Sequence, residues 1–207
     1  KFRYCKVGVT ALVAGGLYQA PAQVANHQNL APSAAIAAEA KTLTVTLGGT
    51  ALTENQYAGG FAVITVTPGV GYTYKISSNP AQTDGSGVGT LYLEDPIQVA
   101  LTVAASKVDL VPNPFLDVIL SIGGTNSGKI AGVAHDIVTA AQFGWLQTGG
   151  PCNVLNDAGT VVVGNEVCAS NATAGAIETE VAGQPNVGQA MTGIAANERG
   201  CVWLSLD

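Results

Sequence analysis

The chain has 207 residues, 47% of them apolar and only 11% charged, with a formal net charge of −6. Sparse charge beside so much apolar residue excludes intrinsic disorder, which needs the opposite balance, and the length suits one large or two small domains with a real core. The negative balance excludes a broad basic surface for nucleic acid, and no run reaches the roughly 18 apolar residues of a membrane helix.

The first residues, Lys1, Phe2, Arg3, Tyr4 and Lys6, form a basic and aromatic tip. It reads equally as an arm that orders against a neighbouring chain and as a first strand. Val7–Leu17 is interrupted by Gly15 and Gly16, which favours two strands turning at Ala14-Gly15-Gly16 over a secretory leader. Ser33–Ala40 (SAAIAAEA) is the one helical candidate, with Ser33 as its cap.

Alternation of period two then dominates, as a half-buried pleated surface requires. It predicts strands at Thr42–Leu47, Phe61–Thr67, Tyr72–Ile76 and Thr90–Leu93, cut by Gly48-Gly49, Pro68-Gly69 and the turn around Asp84-Gly85. Further strands are predicted at Val99–Leu101, Val108–Val111, Val118–Ile122 and Ile130–Ala134. After them come Phe143–Gln147, Cys152–Leu155, Val161–Val163, Glu166–Ala169 and Cys201–Leu206. Many short strands with turn formers between them predict an all-β fold: a sandwich or jelly-roll-like N-terminal unit, then a small C-terminal barrel or sandwich, with little helix.

The polar, Gly-rich segment 123–129 marks the expected boundary between an N-terminal domain, 1–122, and an acidic C-terminal domain, 130–207. The net charge supports that division. Residues 1–129 hold seven acids and seven bases, whereas residues 130–207 hold seven acids against Arg199 alone.

Little of the sequence carries reactive chemistry. Gly123–Ile130 (GGTNSGKI) approaches a phosphate-binding loop, but Ile130 stands where a metal-binding hydroxyl belongs and a strand follows in place of a helix, so it reads as an inter-domain loop. His135-Asp136 with Cys152 has the residue types of a thiol nucleophile and its base, without any local signature. The two histidines, His27 and His135, lack metal-ligand spacing. The four cysteines read as free thiols, buried for the most part, although Cys152 and Cys168 are placed to face each other if their strands are neighbours. Trp145 and Trp203 are expected in the core. No catalytic, cofactor-binding or metal-binding residue is assigned.

The order of several segments resembles a known family. The words AGVAHDIVTAAQFGWLQTGGPCNVL and GTVVVGNEVCASNATAGAIE, the closing CVWLSLD and the middle stretch YKISSNPAQTDGSGVGTLYLEDPIQVAL resemble capsid decoration, or cement, proteins of tailed bacteriophages. The likeness covers most of residues 55–207. It implies a β-rich structural protein, often trimeric, that binds the major capsid protein on the outer face of the shell, with no cofactor, no nucleic acid and no membrane. Such a protein is assembled in the bacterial cytoplasm and resides on the virion surface.

Under that reading Lys1, Phe2, Arg3, Tyr4 and Lys6 are the expected partner-binding residues. The neutral half faces the shell and the acidic half faces solvent, and deleting residues 1–6 leaves the fold intact. A head-fibre, tail-tube or baseplate component, a secreted surface or adhesin module, and a thiol hydrolase are the alternatives.

Overall fold

Alternating apolar positions give each short segment one buried side, and the computed structural model, which describes all 207 residues, resolves them into fifteen strands without an α-helix. The strands build three antiparallel sheets of five. The chain is all-β, as its patterning predicts.

The division into units differs from the expected one. Lys1–Ala22 and Pro114–Asp207 form one unit, and Gln23–Asn113 forms a second, inserted between two strands of the first. The segment 123–129 is therefore no domain connector. It is a loop inside the first unit, joining β8 (Ile119–Leu120) to β9 (Ile130–Ala134), both of which pair with β2 (Leu17–Gln19). The step in charge at residue 130 vanishes with it. The first unit carries five bases and eight acids and the second three bases and six acids, so each has a net charge of −3.

The first sheet of this unit runs in the order β1 (Phe2–Lys6), β10 (Phe143–Gln147), β9, β2, β8. β1 pairs with β10 along its whole length, from Phe2 opposite Gln147 to Lys6 opposite Phe143. Cys5 is buried in the core with Tyr18, Ala131, Ala134 and Leu146, under Leu12 and Val118. The basic tip is thus a strand of the sheet and not a free arm. Deleting residues 1–6 removes a five-residue ladder and a core side chain, so the expectation that the fold survives it is withdrawn.

The second sheet follows β11 (Gly149–Leu155), β15 (Arg199–Ser205), β14 (Asn186–Ala190), β12 (Glu166–Ala169), β13 (Ile177–Thr179). β10 runs into β11 through Thr148 alone, and the buried Gln147 side chain fixes that corner by donating to the carbonyls of Gly149 and Pro151 at 3.1 and 2.8 Å. Leu17, Ile130 and Val133 of the first sheet share one core with Val154, Val167, Val187, Val202 and Leu204 of the second, the arrangement of a sandwich. Close packing of backbones dictates one residue here. A Cβ on Gly188 stands 2.0 Å from the Trp203 carbonyl oxygen, so only glycine lets β14 lie against β15.

The inserted unit has the sheet order β3 (Thr42–Thr46), β6 (Val88–Leu93), β5 (Thr73–Ser78), β4 (Phe61–Val66), β7 (Lys107–Val111). Its two edge strands are bridged by one short segment. Leu30 exchanges both backbone hydrogen bonds with Val108 of β7, at 2.9 Å each, while Ala31 and Ser33 bond to Thr46 and Thr44 of β3 at 2.9 and 3.0 Å. Residues 30–33 thereby close the sheet into a small barrel around Leu43, Val45, Ile64, Ile76, Leu91 and Leu110.

The expected helix at Ser33–Ala40 does not form, because its amides find partners elsewhere: Ser33 on Thr44, Ile36 on Leu101, Glu39 on Ile97. Two expected strands, at Val99–Leu101 and Val161–Val163, reduce to single bridges from Leu101 to Ile36 and from Val161 to Ile194. No helix is long and apolar enough to cross a membrane.

Candidate functional site: an exposed aromatic surface

Strand pairing puts Phe2, Tyr4 and Lys6 of β1 on the same face as Phe143, Trp145 and Gln147 of β10. Toward β9 and β2 that face is covered by the second sheet. Toward β1 it is bare, and Phe2, Tyr4, Phe143 and Trp145 are 49–57% exposed. Their rings organise one another. Tyr4 stacks on Phe143 with centroids 5.5 Å apart and meets Trp145 edge-on at 5.1 Å, while Phe2 meets the His135 ring edge-on at 6.3 Å. A cleft of about 520 Å³ opens among Phe2, His135, Asp136, Phe143 and Trp145.

Both tryptophans correct the expectation of a core position. In the words GWLQ and VWLS a leucine follows the tryptophan, and only one of two neighbours on a strand faces inward. Leu146 and Leu204 are buried, which turns Trp145 and Trp203 outward, each more than half exposed. The signal was present in the alternation of Gly144 with Leu146 and of Val202 with Leu204, but ring size outweighed it.

The outer edge of β1 is open for part of its length. Lys6 donates its N–H to Phe115 O at 2.9 Å and accepts from Val118 N at 3.0 Å, so Lys6 points away from β10. By the same alternation the backbone groups of Tyr4 and Phe2 face that outer side, where no strand pairs with them.

The basic side chains of the tip serve the fold. Arg3 and Lys1 both pair with Asp207, and Lys6 pairs with Asp117 at 2.7 Å. The Arg3 hydrogen bond, with the nearby positive charges, draws the Asp207 carboxyl down to about 2, and the same contact raises Arg3. Of the five residues expected to bind a partner, Phe2 and Tyr4 belong to the aromatic surface, while Lys1, Arg3 and Lys6 are held in ion pairs. Phe143 and Trp145 complete the surface, and sequence order alone did not bring them to β1.

The remaining candidates separate. Cys152 is buried, its thiol donates to the Asn153 carbonyl at 3.8 Å, and burial pushes it up to about 11, away from the thiolate a nucleophile needs. Cys152 and Cys168 lie on β11 and β12, which are not neighbours in their sheet. All four cysteines are free thiols, three buried and Cys201 partly exposed. Lys129, at the end of the phosphate-loop-like segment, sits over the Phe115 ring at 5.9 Å. His27, buried in the inserted unit, lies 2.8 Å from the Tyr57 hydroxyl and 3.0 Å from the Thr50 carbonyl. Comparison of the chain with protein-family models, with curated proteins and with solved structures finds no match in any of the three.

Proposed function

We propose that this chain is a structural protein of a bacteriophage particle that docks on the outer capsid shell through the aromatic surface of β1 and β10. The observation that carries the docking role is the grouping of four half-exposed aromatic side chains on one sheet face beside an unpaired strand edge. Contiguous exposed apolar surface on a folded chain marks a place where something binds, and Trp, Tyr and Phe concentrate binding energy at protein interfaces. Rigid strands lose little conformational entropy on docking, and many copies on a lattice multiply a modest contact. The choice of a bacteriophage particle rests on the resemblance of most of residues 55–207 to decoration proteins.

The contact surface differs from the one expected from sequence. Paired with Asp207 and Asp117, the basic tip offers no free positive patch, and equal charge on the two units removes the electrostatic reason to turn one of them outward. The aromatic rings replace charge as the contact.

Quantitative mass spectrometry of purified virions tests the reading. Hundreds of copies per particle are expected for a shell-decorating protein. A handful of copies indicates a fibre, tail or baseplate position, and absence from the particle overturns the virion role.

A further inference from the structure

A second cleft, of about 390 Å³, lies in the first unit beside the aromatic surface, and His135 lines both. Its other walls include Val13–Gly15, Ile137, Asn153 and Arg199. Arg199 is the only base in residues 130–207, and no carboxylate lies within ion-pair distance of it. Its Nε donates to the Ala14 carbonyl at 3.3 Å, which orients the guanidinium and leaves the terminal N–H groups free.

The turn beneath is shaped for that side chain. Gly15 has φ +78°, and a Cβ there stands 2.7 Å from Arg199 Nε and 3.0 Å from Cδ, so glycine makes the seat in which the arginine lies. The Asn153 amide and the His135 ring, neither engaged in a side-chain hydrogen bond, complete a set of three donor-capable side chains on one cleft. All three side chains are exposed and meet water in the free chain, so an incoming anion can replace that water at a place where the donors already converge. A guanidinium fork fits the two oxygens of a carboxylate or phosphate.

We infer that the Arg199 cleft is an oxyanion site that takes a carboxylate from the protein docked on the adjacent aromatic surface. The identity of that partner rests on the docking role above; the anion site itself does not. Since His135 borders both clefts, a partner segment lying on Phe2 and Trp145 that continues past His135 presents an acidic side chain to Arg199.

Inorganic phosphate is the probe of the site, added to isotopically labelled full chain at constant ionic strength and followed by NMR. Saturable shifts are expected at Arg199 Nε–H and the Asn153 amide. Arg199→Gln should weaken binding about tenfold or more, Arg199→Lys less, with the remaining spectrum unchanged. Shifts that chloride reproduces, or that survive Arg199→Gln, overturn the site. Where phosphate binds through Arg199 but the R199Q chain still loads onto particles at full occupancy, the carboxylate assignment is overturned and a free-anion site remains. Absence of the wild-type chain from particles refutes the docking role instead.

Discussion

Leu146 and Trp145 are neighbours on β10 that face opposite ways, and exchanging each for alanine should give opposite results to those residue size suggests. Leu146 is fully buried among Cys5, Tyr18 and Ala134. Leu146→Ala deletes three carbons, worth about 2.4 kcal/mol of transfer at ~0.8 kcal/mol per group. The cavity left behind brings the cost to about 3–4 kcal/mol. Trp145 is 56% exposed and loses chiefly its edge contact with Tyr4, so Trp145→Ala costs about 1 kcal/mol.

Both tryptophans belong to the first unit, so tryptophan fluorescence during urea or thermal unfolding reports that unit alone in wild type and Leu146→Ala. Trp203 supplies the signal in Trp145→Ala. Leu146→Ala should lower the midpoint by roughly 10–15 °C and Trp145→Ala by roughly 5 °C or less. Equal losses, or a greater loss for Trp145→Ala, refute the assignment of faces and with it the aromatic surface. Native emission already bears on the point, because exposed tryptophans emit far to the red and are quenched readily by acrylamide.

Three further outcomes follow from named contacts. Asp207 is held at about 2 against an ordinary 3.8, so its ionised form stabilises the fold fully above about pH 4, and that contribution is lost as pH falls through 2. Asp207→Asn should flatten the fall in stability between pH 5 and 2, and an unchanged slope contradicts the Arg3 pairing. Since the Thr50 carbonyl only accepts, His27 Nε2 carries a hydrogen, and in the neutral ring the Tyr57 hydroxyl donates to Nδ1. Tyr57→Phe leaves that nitrogen unpaired in the barrel and should cost about 1–3 kcal/mol by circular dichroism, with native tryptophan emission unmoved. A thiol reagent applied to the native chain should label Cys201 first, and Cys5, Cys152 and Cys168 only on unfolding; rapid labelling of Cys152 counts against its place between the sheets.

Period-two alternation located most strands to within a residue or two, among them β3, β4, β9, β10 and β12. It missed β14, where Asn186–Ala190 offers only Val187 and Ala190 to the core and Gly188 serves a backbone contact. The false helix at Ser33–Ala40 shows tertiary pairing overriding local propensity, since eight residues give few internal hydrogen bonds and the barrel edges offered better ones. The domain division was out of reach of a linear reading. Phe2–Lys6 and Phe143–Gln147 lie far apart in sequence, and nothing in either word records that they pair. The candidate site inherits the same difficulty, since half of its rings come from each of those two strands.

The docking claim is tested most directly by oxidative footprinting of Trp145 in the free chain and in intact particles. Strong protection of Trp145 on the particle is expected, with Phe2, Tyr4 and Phe143 protected alongside it. Equal oxidation of Trp145 in the two states rules out docking through this surface.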